Sequence, residues 1–145
     1  MSDVRSRKQY KSVAGVVTAS TDIGSSFATG KATTFAIPVT GAPNGSITIQ
    51  PNYLIVQGST AGSATKLTIA ISTDSGGDAI IIPDTEATLA LGKTTATDCM
   101  AGYAIDLPYV DTSGSGITLY LHYKADAGAT LDIDSATLYY TEGVR

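Results

Sequence analysis

His122 is the only histidine of the chain and Cys99 is the only cysteine, so residues that commonly carry catalysis or bind transition metals are scarce. A single histidine cannot make a multi-histidine metal site, and a Ser–His–Asp triad needs a convergent carboxylate that the sequence does not identify. Cys99 follows Asp98, which supplies neither the base nor the cation that activates a thiol. The sequence therefore predicts a protein that is not an enzyme, uses no cofactor, and keeps Cys99 as a small apolar filler.

Four aspartates raise the possibility of calcium binding: Asp74, Asp78, Asp132 and Asp134. Calcium takes six to eight oxygen ligands, which loops of a β-sandwich can supply as carboxylates and backbone carbonyls. The run from Asp74 to Asp78 departs from the EF-hand pattern and lacks its later glutamate. Turn capping is the favoured role of these carboxylates, and a structural calcium is the alternative.

Tyrosine supplies most of the aromatic content, with eight Tyr, two Phe and no Trp. Tyrosine combines an apolar ring with a polar tip and is enriched at protein interfaces. Adjacent Tyr139 and Tyr140 point to opposite faces if one strand runs through both. We expect an oligomer interface that includes Tyr120, His122 and Tyr139. The alternative is a sugar-binding platform built from Tyr53, Tyr109, Tyr120 and His122.

Charge is divided unevenly along the chain. Residues 1–11 contain four basic residues and one acidic residue, whereas the whole chain has a formal net charge of −4. A basic segment without hydrophobic periodicity cannot bury itself, so residues 1–12 are predicted to form a mobile arm ahead of a single domain at 13–145. Nucleic acid is disfavoured as its partner, because four cations give modest affinity and the body is acidic. The predicted protein-binding residues of the arm are Arg5, Arg7, Lys8, Tyr10 and Lys11.

Apolar and polar residues alternate with a period of two in many parts of the chain. Ile117, Leu119, Leu121 and Tyr123 share one face, for example, and the residues between them share the other. This pattern is typical of strands that bury one face, and clusters rich in Gly, Asp and Ser separate the runs as turns. No apolar run is long enough for a membrane helix, and the N-terminus lacks the apolar core of a signal peptide. Strands are predicted near residues 13–19, 33–39, 47–57, 66–73, 86–91, 101–107, 117–124 and 130–140.

About eight strands with no helical segment predict an all-β fold, an antiparallel β-sandwich of the jelly-roll type. The immunoglobulin alternative lacks its Cys–Trp–Cys signature. Residues 79–82 could form a ninth strand or a loop, and 84–91 could form one helical turn capped by Asp84. The apolar positions of the last strand change parity near Asp134 and Ser135. A β-bulge there would bring them all to one face, and otherwise they face two layers.

The polar arm, the Thr/Gly/Ala-rich sandwich and the last two strands together resemble jelly-roll virion proteins of tailed bacteriophages. The strands concerned read Ile117-Thr-Leu-Tyr-Leu-His-Tyr123 and Ala129-Thr-Leu-Asp-Ile-Asp-Ser-Ala-Thr-Leu-Tyr-Tyr140. The most similar class is the capsid decoration, or cement, proteins.

This resemblance implies a trimer that is made in the host cytoplasm, binds the major capsid protein through the arm and stabilises the capsid surface of the virion. A carbohydrate-binding jelly-roll module of a phage tail or fibre is the alternative.

Overall fold

The computed structural model describes residues 8–18, 23–27, 32–37, 46–60, 64–91, 98–105, 110–113, 116–126 and 131–144. Across these ranges no helix is long and apolar enough to cross a membrane. The strands are β1 (Lys8–Ala14), β2 (Val16–Thr18), β3 (Ala32–Ile37), β4 (Ser46–Thr60), β5 (Lys66–Ser72), β6 (Ile80–Thr88), β7 (Ala90–Leu91), β8 (Asp98–Ala104), β9 (Val110–Ser113), β10 (Ile117–Ala125) and β11 (Leu131–Val144).

The strands form two antiparallel sheets. The front sheet has the order β1-β11-β4-β8-β7, with β9 pairing the first residues of β4, and the back sheet has the order β2-β3-β10-β5-β6. If the short β2, β7 and β9 are set aside and the other strands are renumbered in chain order, the sheets read 1-8-3-6 and 2-7-4-5. This is the strand order of a jelly roll, so the predicted fold class is confirmed.

The core lies between the two sheets and follows directly from the alternation in the sequence. Leu119, Leu121 and Tyr123 of the back sheet are buried in one cluster with Leu54 and Leu138 of the front sheet. Each large apolar side chain buried in this way stabilises the fold by roughly 1.5–3 kcal/mol.

Cys99 belongs to the same buried cluster, as its predicted filling role requires. Burial raises the pKa of its thiol, and the negative charges of Asp134 and Asp98 raise it further. The thiol is therefore kept protonated and unreactive.

The parity change in β11 is produced by a β-bulge. The pairing of β11 with β4 shifts register between Ile133 and Ser135. All five apolar residues that flank the shift are buried, so the bulge prediction is confirmed and the two-layer alternative is wrong. These residues are Leu131, Ile133, Ala136, Leu138 and Tyr140.

Two segments differ from the sequence-based expectation. The helical turn considered for 84–91 is wrong, because β6 extends through Ile80–Thr88 and also takes up the short apolar run before it. Pairing with β5, from Lys66 opposite Thr88 to Ser72 opposite Ile80, supplies the backbone hydrogen bonds that decide in favour of a strand. The sequence predicts a turn rather than a strand at Asp111, Thr112 and Ser113. Strand β9 forms there because β4 offers an open edge at Ser46–Ile49.

The predicted arm is wrong for residues 8–12, since they belong to β1 within the front sheet. This strand pairs with β11 from Lys8 opposite Gly143 to Ala14 opposite Thr137. The pairing is possible because β11 continues to Val144 and presents backbone partners along its entire length. Residues 1–7, which include Arg5 and Arg7, lie outside the described residues.

Gly15 lets the chain cross from the front sheet to the back sheet. Strand β1 pairs in the first and β2 in the second, with only this residue between them. Its N–H donates to the carbonyl oxygen of Ala136 at 2.8 Å. A Cβ at this position would overlap the methyl group of Thr33 and lie 2.9 Å from the ring of Phe35. The crossing therefore requires the absence of a side chain.

We expect Gly15→Ala to lower the free energy of unfolding by about 2 kcal/mol, as overpacking at a buried contact typically does. Urea denaturation followed by circular dichroism measures the change. Gly24→Ala is the matched control, because a Cβ there meets nothing within 4 Å. Equal stability of the two variants would contradict the role assigned to Gly15.

Candidate functional site

The outer surface of the front sheet carries the largest set of exposed aromatic side chains in the described part of the chain. Tyr10, Tyr53 and Tyr139 are 87%, 42% and 42% exposed. Tyr139 of β11 is paired directly with Ser12 of β1 on one side and with Tyr53 of β4 on the other. We call this surface the tyrosine face. It comprises Tyr10, Ser12, Tyr53, Ile55, Gln57, Met100, Gly102, Thr137 and Tyr139.

Gly102 makes room for Tyr53 to lie across the neighbouring strand. Tyr53 is paired with Ala104, and Gly102 is paired with Ile55, so the ring extends diagonally over the glycine. A Cβ at Gly102 would overlap the Tyr53 hydroxyl and lie 3.1 Å from Cζ. The glycine thus keeps the centre of the tyrosine face flat.

Three carboxylates lie at one end of this surface. Asp98 of β8 and Asp132 of β11 are both paired with Ser59, beyond the aromatic centre, and Asp134 lies close by on β11. The named residues of the tyrosine face itself are uncharged. The surface therefore offers aromatic, thioether, amide and hydroxyl groups to a partner.

A groove of about 620 Å³ opens at the other end of the tyrosine face. It forms where β4 inserts one extra residue, Asn52, between the pairs Tyr53–Tyr139 and Pro51–Tyr140. Asn52 Nδ2 donates to Thr141 Oγ1 at 2.6 Å, and the backbone carbonyl oxygen of Asn52 accepts from the N–H of Ile105 at 2.9 Å. We call it the β4-bulge groove. It is lined by Tyr10, Lys11, Ser12, Gln50, Asn52, Tyr139, Tyr140 and Thr141.

A buried ion pair attaches β1 to the sheet beside this groove. Lys11 Nζ lies 3.0 Å from Glu142 Oε2, and the Glu142 side chain is only 3% exposed. Burial raises the pKa of the adjacent Tyr140; the Glu142 charge adds to this rise and the Lys11 charge opposes it. Lys11 thus neutralises a carboxylate of its own fold.

We expect Lys11→Met to destabilise the fold by about 3 kcal/mol, because it leaves the buried Glu142 charge uncompensated. The double variant Lys11→Met/Glu142→Gln should recover most of this loss, which chemical denaturation of both proteins measures. Lys66→Met is the control, since its partner Glu86 is half exposed and exposed pairs contribute about 0–1 kcal/mol. A similar small loss from Lys11→Met would show that Glu142 does not need its partner.

His122 lies on the outer surface of the back sheet beneath the turn that joins β5 to β6. Its Nε2 is 2.8 Å from Ser72 Oγ, and that hydroxyl donates to the carbonyl oxygen of Asp74 at 2.6 Å. Gly77, at φ 79°, places its backbone against the imidazole ring. Ser72 is fully buried and its proton is committed to a backbone carbonyl. The pair therefore fixes a turn and offers no nucleophile.

The carboxylate of Asp74 caps the same turn. It accepts hydrogen bonds from the N–H groups of Ala79 at 2.6 Å and Asp78 at 3.1 Å, which lower the pKa of Asp74. Burial lowers the pKa of His122, and the negative charge of Asp74 acts in the opposite direction. Folding therefore favours the neutral imidazole.

The lowered pKa of His122 makes stability depend on pH. The stability that comes from the neutral imidazole is fully present above the unfolded pKa of 6.5. It is lost as the pH falls from there through the lower pKa of the folded state. We expect the melting temperature to fall between pH 7.5 and pH 5, as differential scanning calorimetry would measure. In His122→Gln this part of the pH dependence should be absent, and an unchanged slope in that variant would exclude His122 as its source.

Two ion pairs also lie on the outer surface of the back sheet. Lys124 Nζ lies 2.8 Å from Asp84 and 4.7 Å from the centre of the Phe27 ring. Lys66 Nζ lies 3.2 Å from Glu86. These four charged side chains are thus engaged with each other, in contrast to the uncharged tyrosine face.

The structure separates the residues expected to form one interface. Tyr120 and His122 lie on the outer surface of the back sheet, whereas Tyr139 lies on the tyrosine face of the opposite sheet. They cannot form one continuous patch. The sugar platform considered as the alternative is divided in the same way, because Tyr53 lies on the front sheet and Tyr120 and His122 lie on the back sheet. Tyr109 lies outside the described residues.

Three of the eight tyrosines belong to the core: Tyr103, Tyr123 and Tyr140. Tyr103 donates to the carbonyl oxygen of Leu67 at 2.6 Å, and Tyr123 is hydrogen-bonded to Thr33. Burial raises the pKa of both hydroxyls, which keeps them neutral. The number of tyrosines in the sequence therefore overestimates the number that are exposed for binding.

The aspartates considered for calcium are divided between the sheets. Asp74 and Asp78 lie in the β5–β6 turn, and Asp132 and Asp134 lie on β11. Among the residues that the structure describes, no three metal-binding side chains come together.

Gln50, Asn52, Met100 and Gly102 were not predicted from the sequence to belong to a site. The one available signal was Pro51-Asn52 within a predicted strand, because proline interrupts ladder hydrogen bonds and marks bulges. The other three acquire their role only from pairing across strands.

No protein-family model and no curated protein sequence matches the chain. Solved structures with a similar fold include the CBM35 module from Cellvibrio japonicus Abf62, at 16% identity and TM-score 0.43 over 91% of this chain and 92% of that one. The xylan-binding module CBM15 matches at 14% identity and TM-score 0.44, over 92% of this chain and 96% of that one. The infectious bursal disease virus VP2 subviral particle matches at 15% identity and TM-score 0.42, over 96% of this chain and 33% of that one. At these scores the similarities assign neither a ligand nor a partner to this chain.

Proposed function

We propose that this protein is a non-enzymatic structural module that binds other protein surfaces through the tyrosine face. The observation that carries the proposal is the contrast between its two outer surfaces. The back surface is engaged by its own turn and ion pairs, whereas the tyrosine face is open, aromatic and uncharged.

The composition of the tyrosine face fits a protein partner. Tyrosine and methionine are enriched in interface cores, whereas lysine and glutamate are depleted there. Four strands about 4.8 Å wide, with about seven residues each rising about 3.3 Å, give a surface of about 19 by 23 Å. That area is more than half of the roughly 800 Å² that each partner contributes to a standard interface.

The finer proposal is a phage capsid decoration protein, which follows from the resemblance in the sequence. Its partners would be the major capsid protein and further copies of this chain, in a trimer on the virion surface. Repetition over a capsid raises avidity, so each copy needs only a modest interface. Lys11 is paired with Glu142 and is therefore not available to bind the major capsid protein. Within residues 1–7, the basic contacts with that protein would come from Arg5 and Arg7.

The alternative, a carbohydrate-binding module of a phage tail or fibre, would use a different part of the molecule. Its ligand needs hydrogen-bonding groups around an aromatic surface, and the β4-bulge groove provides these rather than the flat centre of the tyrosine face.

We expect Tyr53→Ser to weaken self-association, and cosedimentation with capsids of the parent virus, at least tenfold, because it removes the central aromatic anchor. Light scattering over a concentration series and a sedimentation assay measure the two effects. Tyr120→Ser is the matched control, since it removes a tyrosine from the opposite surface.

A wild-type protein that is monomeric and does not bind capsids would overturn the proposed function. Equal losses from Tyr53→Ser and Tyr120→Ser would reject the tyrosine face as the binding surface.

A further inference from the structure

We propose that the β4-bulge groove is a binding site for a neutral saccharide. This site is separate from the centre of the tyrosine face, and the proposal does not depend on the proposed protein–protein function. It rests on the shape, the side chains and the charge balance of the groove.

The size of the groove fits a small polar ligand. Its volume of about 620 Å³ lies within the roughly 300–1,000 Å³ of ligand pockets. It is open to one side, so a chain of sugars could enter with one or two rings bound. The extra residue in β4 creates this concavity, because a bulge bends the strand and turns its side chains away from the regular pleat.

Two tyrosines give the groove its aromatic walls. Tyr139 is partly exposed and Tyr10 is largely exposed, and they lie on adjacent paired strands. A pyranose ring has an apolar face of C–H groups that can pack against such a ring while its hydroxyls stay at the rim. Tyrosine suits this arrangement because its hydroxyl adds a polar tip to an apolar body.

Two amide side chains give the groove its hydrogen-bonding groups. Gln50 and Asn52 each carry both donors and acceptors, as sugar hydroxyls do. The hydrogen bond from Asn52 Nδ2 to the buried Thr141 Oγ1 fixes the orientation of that amide before any ligand binds. A preorganised group loses less entropy on binding, which favours affinity.

The charge balance selects a neutral ligand. Lys11 is the one basic residue that lines the groove among the described residues. It is paired with the buried Tyr140, so its side chain lies on the inner face of the sheet, where Glu142 Oε2 is 3.0 Å from its Nζ. An acidic sugar would therefore meet no free ammonium group among the described residues of the groove to offset the desolvation of its carboxylate.

A glycan array carrying neutral, amino and uronic-acid saccharides tests the proposal with the full chain. We expect binders among the neutral saccharides, and titration of the best one should shift the side-chain amide signals of Gln50 and Asn52 in nuclear magnetic resonance spectra. Gln50→Ala and Tyr139→Ser should each weaken binding at least tenfold.

Tyr53→Ser is the matched control, because Tyr53 is as exposed as Tyr139 and is paired with it but does not line the groove. It should change saccharide affinity less than twofold. Tyr53 and Gln50 also separate this proposal from the proposed function. Tyr53→Ser should weaken protein association, and Gln50→Ala should leave protein association intact.

Three results would overturn the proposal. The first is an array without binders for a protein that calorimetry shows to be folded. The second is a preference for uronic acids. The third is a saccharide whose affinity falls equally in Tyr53→Ser and in Gln50→Ala, since the site would then not be the groove.

Discussion

The antiparallel pairing of β4 with β11 is the interaction on which the rest of the structure depends. These are the longest strands of the described chain, and they are paired from Leu131 opposite Thr60 to Val144 opposite Ile47. Their inward residues fill the core, and their outward residues provide the centre of the tyrosine face. Two irregularities divide the pair: one keeps the apolar residues of β11 inward, and the other opens the groove at Asn52. Fold and candidate sites therefore share one origin.

The N-terminal strand shows how charge and topology are coupled. Strand β1 covers the edge of β11, and Lys11 compensates a carboxylate that the same pairing buries. Gly15 then passes the chain to the back sheet, where β2 extends the edge beside β3. The segment is thus both a front-sheet edge and a link between the sheets. A basic residue that looks available in the sequence is used inside the fold.

The two outer surfaces differ because of what folds over them. On the back sheet, the β5–β6 turn buries His122 and Ser72, and ion pairs occupy the lysines. On the front sheet, Gly102 allows Tyr53 to lie flat, and the amide residues Gln50 and Asn52 line the groove. A surface that satisfies its own polar groups has little to offer a partner. The front surface therefore carries both the proposed protein contact and the proposed saccharide site.

The sequence by itself determined the all-β class, most strand positions and the bulge in β11, because each depends on local alternation that a period of two makes visible. It did not determine β9, the strand character of residues 8–12 or the division of Tyr120 and Tyr139 between opposite surfaces. Those depend on which strand edges meet, and pairing partners distant in the chain leave no periodic signal. The groove belongs to this second group, since Asn52 becomes a bulged residue only when β11 lies beside it.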